Sequence, residues 1–124
     1  MSWHGFKTEN EYINKDVVEK DPSGVSLNTP GAKADSGKLR PWLVLGGFAA
    51  GLEEITKVGT LGAAKYTDNG WKTVPNAKER YMEAAMRHIL AAAKGEEYDN
   101  GPGGIGTKHL ANAAWCLLAV LSLE

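Results

Sequence analysis

The sequence predicts an all-α protein, and three observations favour that fold class. Apolar residues such as Phe48, Leu52 and Ile55 recur at the spacing of one helix face. Good helix formers then continue through two further segments, residues 77–94 and 107–124. No segment alternates polar and apolar residues for long enough to predict a β-strand. We therefore expect a helical bundle with three main helices.

Length and composition limit the classes of protein that the chain can represent. Its 124 residues suffice for one domain, and 14 Lys and Arg against 15 Asp and Glu give a net charge of -1. That balance disfavours a nucleic-acid partner, and the chain has no run of apolar residues able to span a bilayer. A single cysteine, Cys116, cannot form an internal disulfide, and the start lacks the apolar stretch of a signal peptide. We expect a cytoplasmic protein without a membrane partner.

The N-terminal residues are predicted to form an irregular arm over 1–32, followed by the helical domain over 33–124. Residues 1–36 are polar and interrupted by proline and glycine, with one short helix expected near Glu9–Glu19. Two interpretations stay open: a tail without function, or an arm that packs on a neighbouring subunit.

The first two helices have recognisable limits. The first covers about Trp42 to Tyr66, and its internal glycines predict a break or two. The second begins after Asn76, which we predict to be its N-cap, and ends before Gly95, which has the position of a C′ glycine. One stripe of this second helix is apolar: Met82, Met86, Ile89 and Ala93.

The third helix begins near Thr107 and is apolar around most of its circumference, which is typical of a helix packed in a bundle or against a partner. A monomer would leave Trp115, Leu117 and Leu121 exposed, a larger apolar patch than soluble monomers usually tolerate. We therefore predict a homodimer or homotetramer that completes the bundle.

Polar residues on these apolar helices are the candidate functional residues, because a buried charge is costly unless it is paired or bound to a metal. Glu54 lies one step from the Leu52–Ile55 face, whereas Glu53 points outward and has Lys57 one turn later. Both glutamates have a simpler explanation as a solvated helix edge, with a Glu53–Lys57 ion pair.

The second and third helices carry further candidates. Glu83 and Arg87 are four residues apart and could pair along a surface, while His88 lies on a crowded side made of alanines. On the third helix, His109 and Asn112 are aligned polar groups that need partners if they are buried.

Acids from two helices and from the loop that carries Glu96 and Asp99 form an oxygen-rich set, which suits Mg²⁺ or Mn²⁺. A carboxylate–metal cluster with cations nearby is what a polyphosphate substrate requires. Candidate phosphate contacts are Lys33, Lys38, Arg40, Lys65 and Arg87. Tyr66, Asn69 and Trp71 could hold a base, or they could form a turn with an aromatic anchor.

Several motifs together resemble the phage-type dATP/dGTP diphosphohydrolases, which are relatives of the MazG-like all-α nucleoside triphosphate pyrophosphohydrolases. The motifs are GAKADSGK, GAAKY, NGW, RYMEAAMRH and GEEYD, in this order within about residues 30–121. The resemblance implies a MazG-like helical fold that assembles as dimers or dimers of dimers. It also implies cleavage of a deoxynucleoside triphosphate between the α and β phosphates.

MazG-like relatives bind two or three Mg²⁺ or Mn²⁺ ions through a Glu-Glu-x-x-Glu helix and a later Glu-x-x-Asp helix. The first motif is matched by Glu53 and Glu54, with Lys57 in the third acidic position. At the start of the third helix, His109 and Asn112 have the spacing of the second motif, and Glu96 and Asp99 have it in the preceding loop.

We therefore predict an enzyme that hydrolyses dGTP or dATP to dNMP and pyrophosphate in phage nucleotide-pool metabolism. Glu53 or Glu54 would orient or deprotonate the attacking water. The predicted metal ligands are Glu54, Glu83, Glu96 and Asp99. The predicted substrate contacts are Lys33, Lys38, Arg40, Lys65, Tyr66, Asn69, Trp71, Arg87, His88, His109 and Asn112. The alternative is a non-catalytic helical oligomer that binds nucleotides or a protein partner. Lys57 favours this alternative, because it replaces the third acid of the metal-binding motif.

Overall fold

The computed structural model describes residues 19–123, and the helix expected near Glu9–Glu19 lies almost entirely outside that range. The chain divides into two compact units, Met1–Val44 and Leu45–Glu124. The predicted boundary at residue 32 falls inside the first unit and stays a prediction. No helix within the described residues is both long and apolar enough to cross a membrane.

In the first unit, residues 19–41 form turns and irregular segments, and Asp21 joins two of them. Its carboxylate accepts hydrogen bonds from the backbone N–H of Ser23 at 2.7 Å and from that of Lys33 at 2.8 Å. These bonds, together with one from the Ser23 hydroxyl, lower the pKa of Asp21. The region is irregular as expected, and hydrogen bonds to the Asp21 carboxylate stabilise its backbone.

The first helix of the described residues is short, α1 (Trp42–Leu45). Next come α2 (Ala49–Lys65), a 3₁₀ turn (Gly70–Thr73), α3 (Ala77–Ala93) and α4 (His109–Ser122). The break expected in the first predicted helix is confirmed between α1 and α2. Within residues 19–123 the structure has no strand, and a single antiparallel bridge joins Tyr98 to Lys108. The all-α prediction is confirmed.

Helix α4 packs on both α3 and α2 and supplies most of the core. The buried apolar residues are mainly small: Val58, Ala85, Ala111, Ala113, Cys116, Ala119 and Val120. Small side chains allow the helix backbones to approach closely, so polar groups on facing helices can meet directly.

The buried face of α3 is the crowded alanine-rich side that the sequence indicated, and not the stripe of larger apolar residues. Ala85 is fully buried, whereas Met86 and Ile89 are 44% and 46% exposed. The reason is that α4 presents small residues and therefore packs best against the alanine-rich side of α3, which also carries His88.

Two local predictions also need correction. Asn76 has the N-cap position of α3 that the sequence predicts, but its side chain makes no capping hydrogen bond because its backbone is left-handed (φ 53°) and not extended. Trp115 is not exposed, since it packs edge-on against Trp71 and Tyr81 at centroid distances of 5.8 and 5.5 Å. The C′ position of Gly95 is confirmed by its φ of 92°.

The predicted exposure of Leu117 and Leu121 in a single chain is confirmed. Leu117 and Leu121 are 38% and 54% exposed, and Leu110 and Leu118 on the same helix are exposed as well. That these side chains are covered by a second subunit stays a prediction.

Candidate functional site

The loop between α3 and α4 closes on itself and brings residues of its two ends together. Around the Tyr98–Lys108 bridge, the Asp99 N–H donates to Thr107 O at 2.8 Å and the His109 N–H donates to Glu97 O at 2.9 Å. Asp99 is thereby placed beside the first turn of α4, ten positions away in the chain.

The two described histidines meet across the interface between α3 and α4. The Nδ1 atoms of His88 and His109 are 2.9 Å apart, with ring centroids separated by 5.2 Å and planes tilted by 41°. His109 is only 7% exposed and His88 is half-buried. A hydrogen bond between these atoms requires one Nδ1 to carry a proton and donate it while the other Nδ1 accepts.

Asp99 completes a group of three residues that could hold a metal ion. One ring nitrogen of each histidine and one carboxylate oxygen of Asp99 lie within 4.8 Å of one another. Gly104 lies directly against Asp99, because a Cβ at position 104 would be 2.6 Å from Asp99 Oδ1 and closer still to its carbonyl oxygen. The absence of a side chain at Gly104 therefore allows the carboxylate to occupy this position. We call His88, Asp99 and His109 the His–Asp–His cluster.

Glu96 lies at the edge of this cluster. Its Oε2 atom is 3.8 Å from Nε2 of His109, on the opposite side of the ring from the His88 contact. His109 therefore has a histidine at one nitrogen and a carboxylate near the other.

Burial of His88 lowers the pKa of its imidazole, and the nearby Asp99 carboxylate opposes part of that shift. A lowered pKa keeps the ring neutral around pH 7, which is the form that binds metals or accepts a proton.

Glu54 has a different partner from the one suggested by the sequence. Lys57 Nζ donates to Glu54 Oε1 at 2.9 Å, which is an i,i+3 pair. The suggested Glu53–Lys57 pair is therefore wrong. Glu54 is half-buried and Glu53 exposed, as their positions on the helix indicated. The Lys57 hydrogen bond lowers the pKa of Glu54, and the charge of Lys108 contributes.

The predicted acids do not converge on one point. Among residues 19–123, the His–Asp–His cluster is the one group of three potential metal ligands that lie close together. Glu83 is exposed, and no ion pair joins it to Arg87 within this range. Metal binding by Glu54 and Glu83 stays a prediction.

Asn112 is buried in the first turn of α4, where its side chain makes two hydrogen bonds. Its Nδ2 atom donates to Thr107 Oγ1 at 2.7 Å and to Lys108 O at 2.9 Å. These bonds hold the end of the loop against α4 and so fix the position of His109. The expectation that a buried Asn112 would need partners is confirmed, and its contact with substrate stays a prediction.

Other predicted substrate contacts surround the 3₁₀ turn. Lys65 Nζ donates to Gly103 O at 2.8 Å and so joins the end of α2 to the glycine-rich loop. Tyr66 is 73% exposed, and Asn69 is exposed with a left-handed backbone. Trp71 packs against Trp115 and also lines a shallow cleft with Lys72, Ser122 and Leu123, which contains neither histidine.

The cations of the first unit are exposed. Lys38 Nζ is 4.0 Å from Glu19 Oε1, and Lys33 and Arg40 are exposed in neighbouring turns. Their contacts with phosphate stay predictions.

Sequence reasoning missed Gly104, Thr107 and Lys108. All three act through closure of the loop. Gly104 packs on Asp99, the Thr107 hydroxyl accepts a hydrogen bond from the Asn112 amide, and Lys108 Nζ lies 3.8 Å from the Glu97 carboxylate. The signal in the sequence was the glycine-rich GPGGIG segment, which is typical of a tight closed loop.

A known protein family matches most of the chain. Residues 28–124 match the family described as dATP/dGTP diphosphohydrolase, N-terminal, and the chain belongs to that family. The family description supports a general role in nucleotide hydrolysis. No curated protein and no solved structure matches the chain.

Proposed function

We propose that this protein is a metal-dependent enzyme that hydrolyses dGTP or dATP to the deoxynucleoside monophosphate and pyrophosphate. The family match supports the reaction class, and the observation that carries the proposal is the cluster of His88, Asp99 and His109 beside Glu96. By resemblance to the phage-type enzymes, we propose a role in phage nucleotide-pool metabolism in the host cytoplasm.

A divalent metal, expected from the resemblance to be Mg²⁺ or Mn²⁺, would neutralise phosphate charge and favour ionisation of the attacking water. The His–Asp–His cluster offers ligands for one ion, and a second or third ion remains a prediction. Lys65, Arg87 and the cations Lys33, Lys38 and Arg40 would bind outer phosphate oxygens.

Glu54 is the carboxylate proposed to orient or deprotonate the attacking water. It is half-buried and ionised, because its hydrogen bond from Lys57 lowers its pKa. An ionised carboxylate can accept a proton from water, and Lys57 would have to release Glu54 for that step. Glu53, which is exposed one position earlier, is the second candidate.

A non-catalytic nucleotide-binding oligomer is the alternative, and the Glu54–Lys57 contact favours it. A glutamate whose oxygen is 2.9 Å from an ammonium group is already paired and is a poor ligand for a second cation.

Release of pyrophosphate separates the two functions. Purified protein would be incubated with dGTP, dATP, dCTP or dTTP and with Mg²⁺ or Mn²⁺, and dNMP and pyrophosphate would be quantified. The enzyme should give equal amounts of both products from a purine substrate. Tight nucleotide binding without either product would establish the non-catalytic alternative.

A further inference from the structure

We propose that His88, Asp99 and His109 form a mononuclear site for a divalent first-row transition-metal ion of the class of Mn²⁺, Co²⁺ and Zn²⁺, which Mg²⁺ does not fill. The family resemblance assigns carboxylates alone to metal binding, so this set of ligands comes from the geometry of this chain.

The separation of the two histidine nitrogens fits ligands of one ion. Metal–imidazole bonds of 2.0–2.1 Å place two ligands at right angles about 3 Å apart, and a tetrahedral arrangement places them about 3.4 Å apart. The observed Nδ1–Nδ1 distance is 2.9 Å. The Asp99 oxygen and one nitrogen of each ring lie within 4.8 Å of one another, so the three side chains are close enough to share one ion.

A purely structural His–His hydrogen bond would account for the two rings but not for Asp99. The Asp99 carboxylate is half-buried and receives no hydrogen bond or ion pair from any residue within 19–123. The carboxylate oxygens of Asp99 are therefore not used by any donor of the described residues and are available to a cation bound beside the two rings.

Glu96 lies near the place of a second feature of metal-bound histidines, with its Oε2 atom 3.8 Å from Nε2 of His109, which is longer than a hydrogen bond. A ligating imidazole usually donates its other ring N–H to a carboxylate, which fixes the tautomer and makes the ligand more basic. His109 faces His88 with Nδ1 and Glu96 with Nε2. Ligation through both Nδ1 atoms requires each neutral ring to carry its proton on Nε2, so the ring with its proton on Nδ1 changes tautomer and no net proton is released.

The donor set decides the class of ion. Mg²⁺ requires oxygen ligands in near-ideal octahedral geometry, whereas imidazole nitrogen suits the later first-row metals. Two imidazoles and one carboxylate also leave coordination positions for water or a phosphate oxygen, as in catalytic metal sites. Use of the ion in phosphate hydrolysis rests on the function proposed above, but binding of the ion does not.

The test is titration of the metal-free full-length protein with Co²⁺, followed by its visible absorption bands and by calorimetry. We expect one Co²⁺ per chain, retained in the presence of millimolar Mg²⁺. Asp99→Asn and His88→Gln should each weaken Co²⁺ binding by more than about tenfold, and Glu96→Gln by about tenfold. Asp68→Asn, which changes an exposed acid elsewhere, is the matched control and should bind as the wild type does.

Glu54→Gln distinguishes this site from the carboxylate site implied by the resemblance. If Glu54→Gln abolishes Co²⁺ binding while Asp99→Asn and His88→Gln retain it, the proposal is overturned. Displacement of Co²⁺ by Mg²⁺ would overturn it equally. Circular dichroism of each variant establishes that loss of binding is not loss of the fold, and a misfolded His88→Gln would leave Asp99→Asn and Glu96→Gln as the deciding variants.

The same preparations separate failure of the site from failure of the proposed function. Stoichiometric Co²⁺ binding that requires Asp99, without release of pyrophosphate from any dNTP, would confirm the site and refute the enzyme. Pyrophosphate release with Mg²⁺ alone that is unchanged in Asp99→Asn and His88→Gln would refute the site and confirm the enzyme.

Discussion

His88 and His109 are 21 positions apart in the chain, yet their Nδ1 atoms lie 2.9 Å from each other. The contact depends on the close packing of α3 on α4, where Ala85 is fully buried and Ala113 is 3% exposed. A larger residue at either alanine would move the helices apart and separate the rings. The candidate site is therefore built on the packing of small residues as much as on the histidines themselves.

Gly104→Ala tests the placement of Asp99. The added methyl would collide with the Asp99 carbonyl and carboxylate, so the loop must shift and nucleotide hydrolysis should fall by at least about tenfold. Gly101→Ala is the matched control, because a Cβ at position 101 meets nothing within 4 Å. Steady-state kinetics of both variants check the prediction, and equal loss in both would show that the loop tolerates no alanine regardless of Asp99.

Glu54→Gln tests the proposed base. The change preserves shape and removes the charge, so kcat should fall by about 10²-fold or more while the helical circular dichroism is retained. Glu79→Gln, an exposed acid in the first turn of α3, is the control and should keep wild-type turnover. Turnover at the wild-type level in Glu54→Gln would remove this residue from the mechanism.

Lys38→Ala tests whether the first unit contributes to substrate binding. Lys38 is exposed and makes a long 4.0 Å pair with Glu19, which contributes little to stability and leaves the ammonium group accessible. Loss of a phosphate contact made equally in the ground and transition states should raise KM by about tenfold and leave kcat unchanged. Lys20→Ala is the control, and identical constants in wild type and Lys38→Ala would make this segment structural.

The helices could be predicted from the sequence because helix limits and periodicity are local properties. His109 and Asn112 were identified because polar residues on an apolar helix need partners, and the structure gives them partners. The proximity of Asp99 to His109 could not be predicted, because it depends on closure of the glycine-rich loop through the Tyr98–Lys108 bridge.

The ion-pair partner of Lys57 could not be predicted from the sequence, whereas the buried side of α3 could. Lys57 can reach either Glu53 or Glu54 on a helix, and the environment of each glutamate decides between them. For α3, the sequence indicated that the alanine-rich side carrying His88 could pack closely on another helix, and the structure buries Ala85 on that side while Met86 and Ile89 stay exposed.

Cys116 should be unreactive in the folded protein. Burial raises the pKa of its thiol to about 11, so only about one molecule in a thousand carries the reactive thiolate at pH 8. Labelling with an aromatic disulfide reagent at pH 8 should be slow in buffer and fast in denaturant. Because the folded pKa is raised, native labelling should accelerate as the pH increases toward 11. Immediate stoichiometric labelling at pH 8 would contradict the burial of this thiol.

The exposed apolar face of α4 predicts self-association. Leu110, Leu117, Leu118 and Leu121 are between 38% and 63% exposed in the single chain, and their burial between subunits would remove an apolar surface that water disfavours. Light scattering at micromolar concentration and physiological salt should therefore give at least twice the 13.3 kDa chain mass. Leu121→Glu places a charge in that face and should shift the protein toward the monomer, whereas Leu61→Glu, at an exposed position on α2, should not. A wild-type mass near 13.3 kDa would show that the single chain tolerates this face in water, and the site would then have to be complete within one subunit.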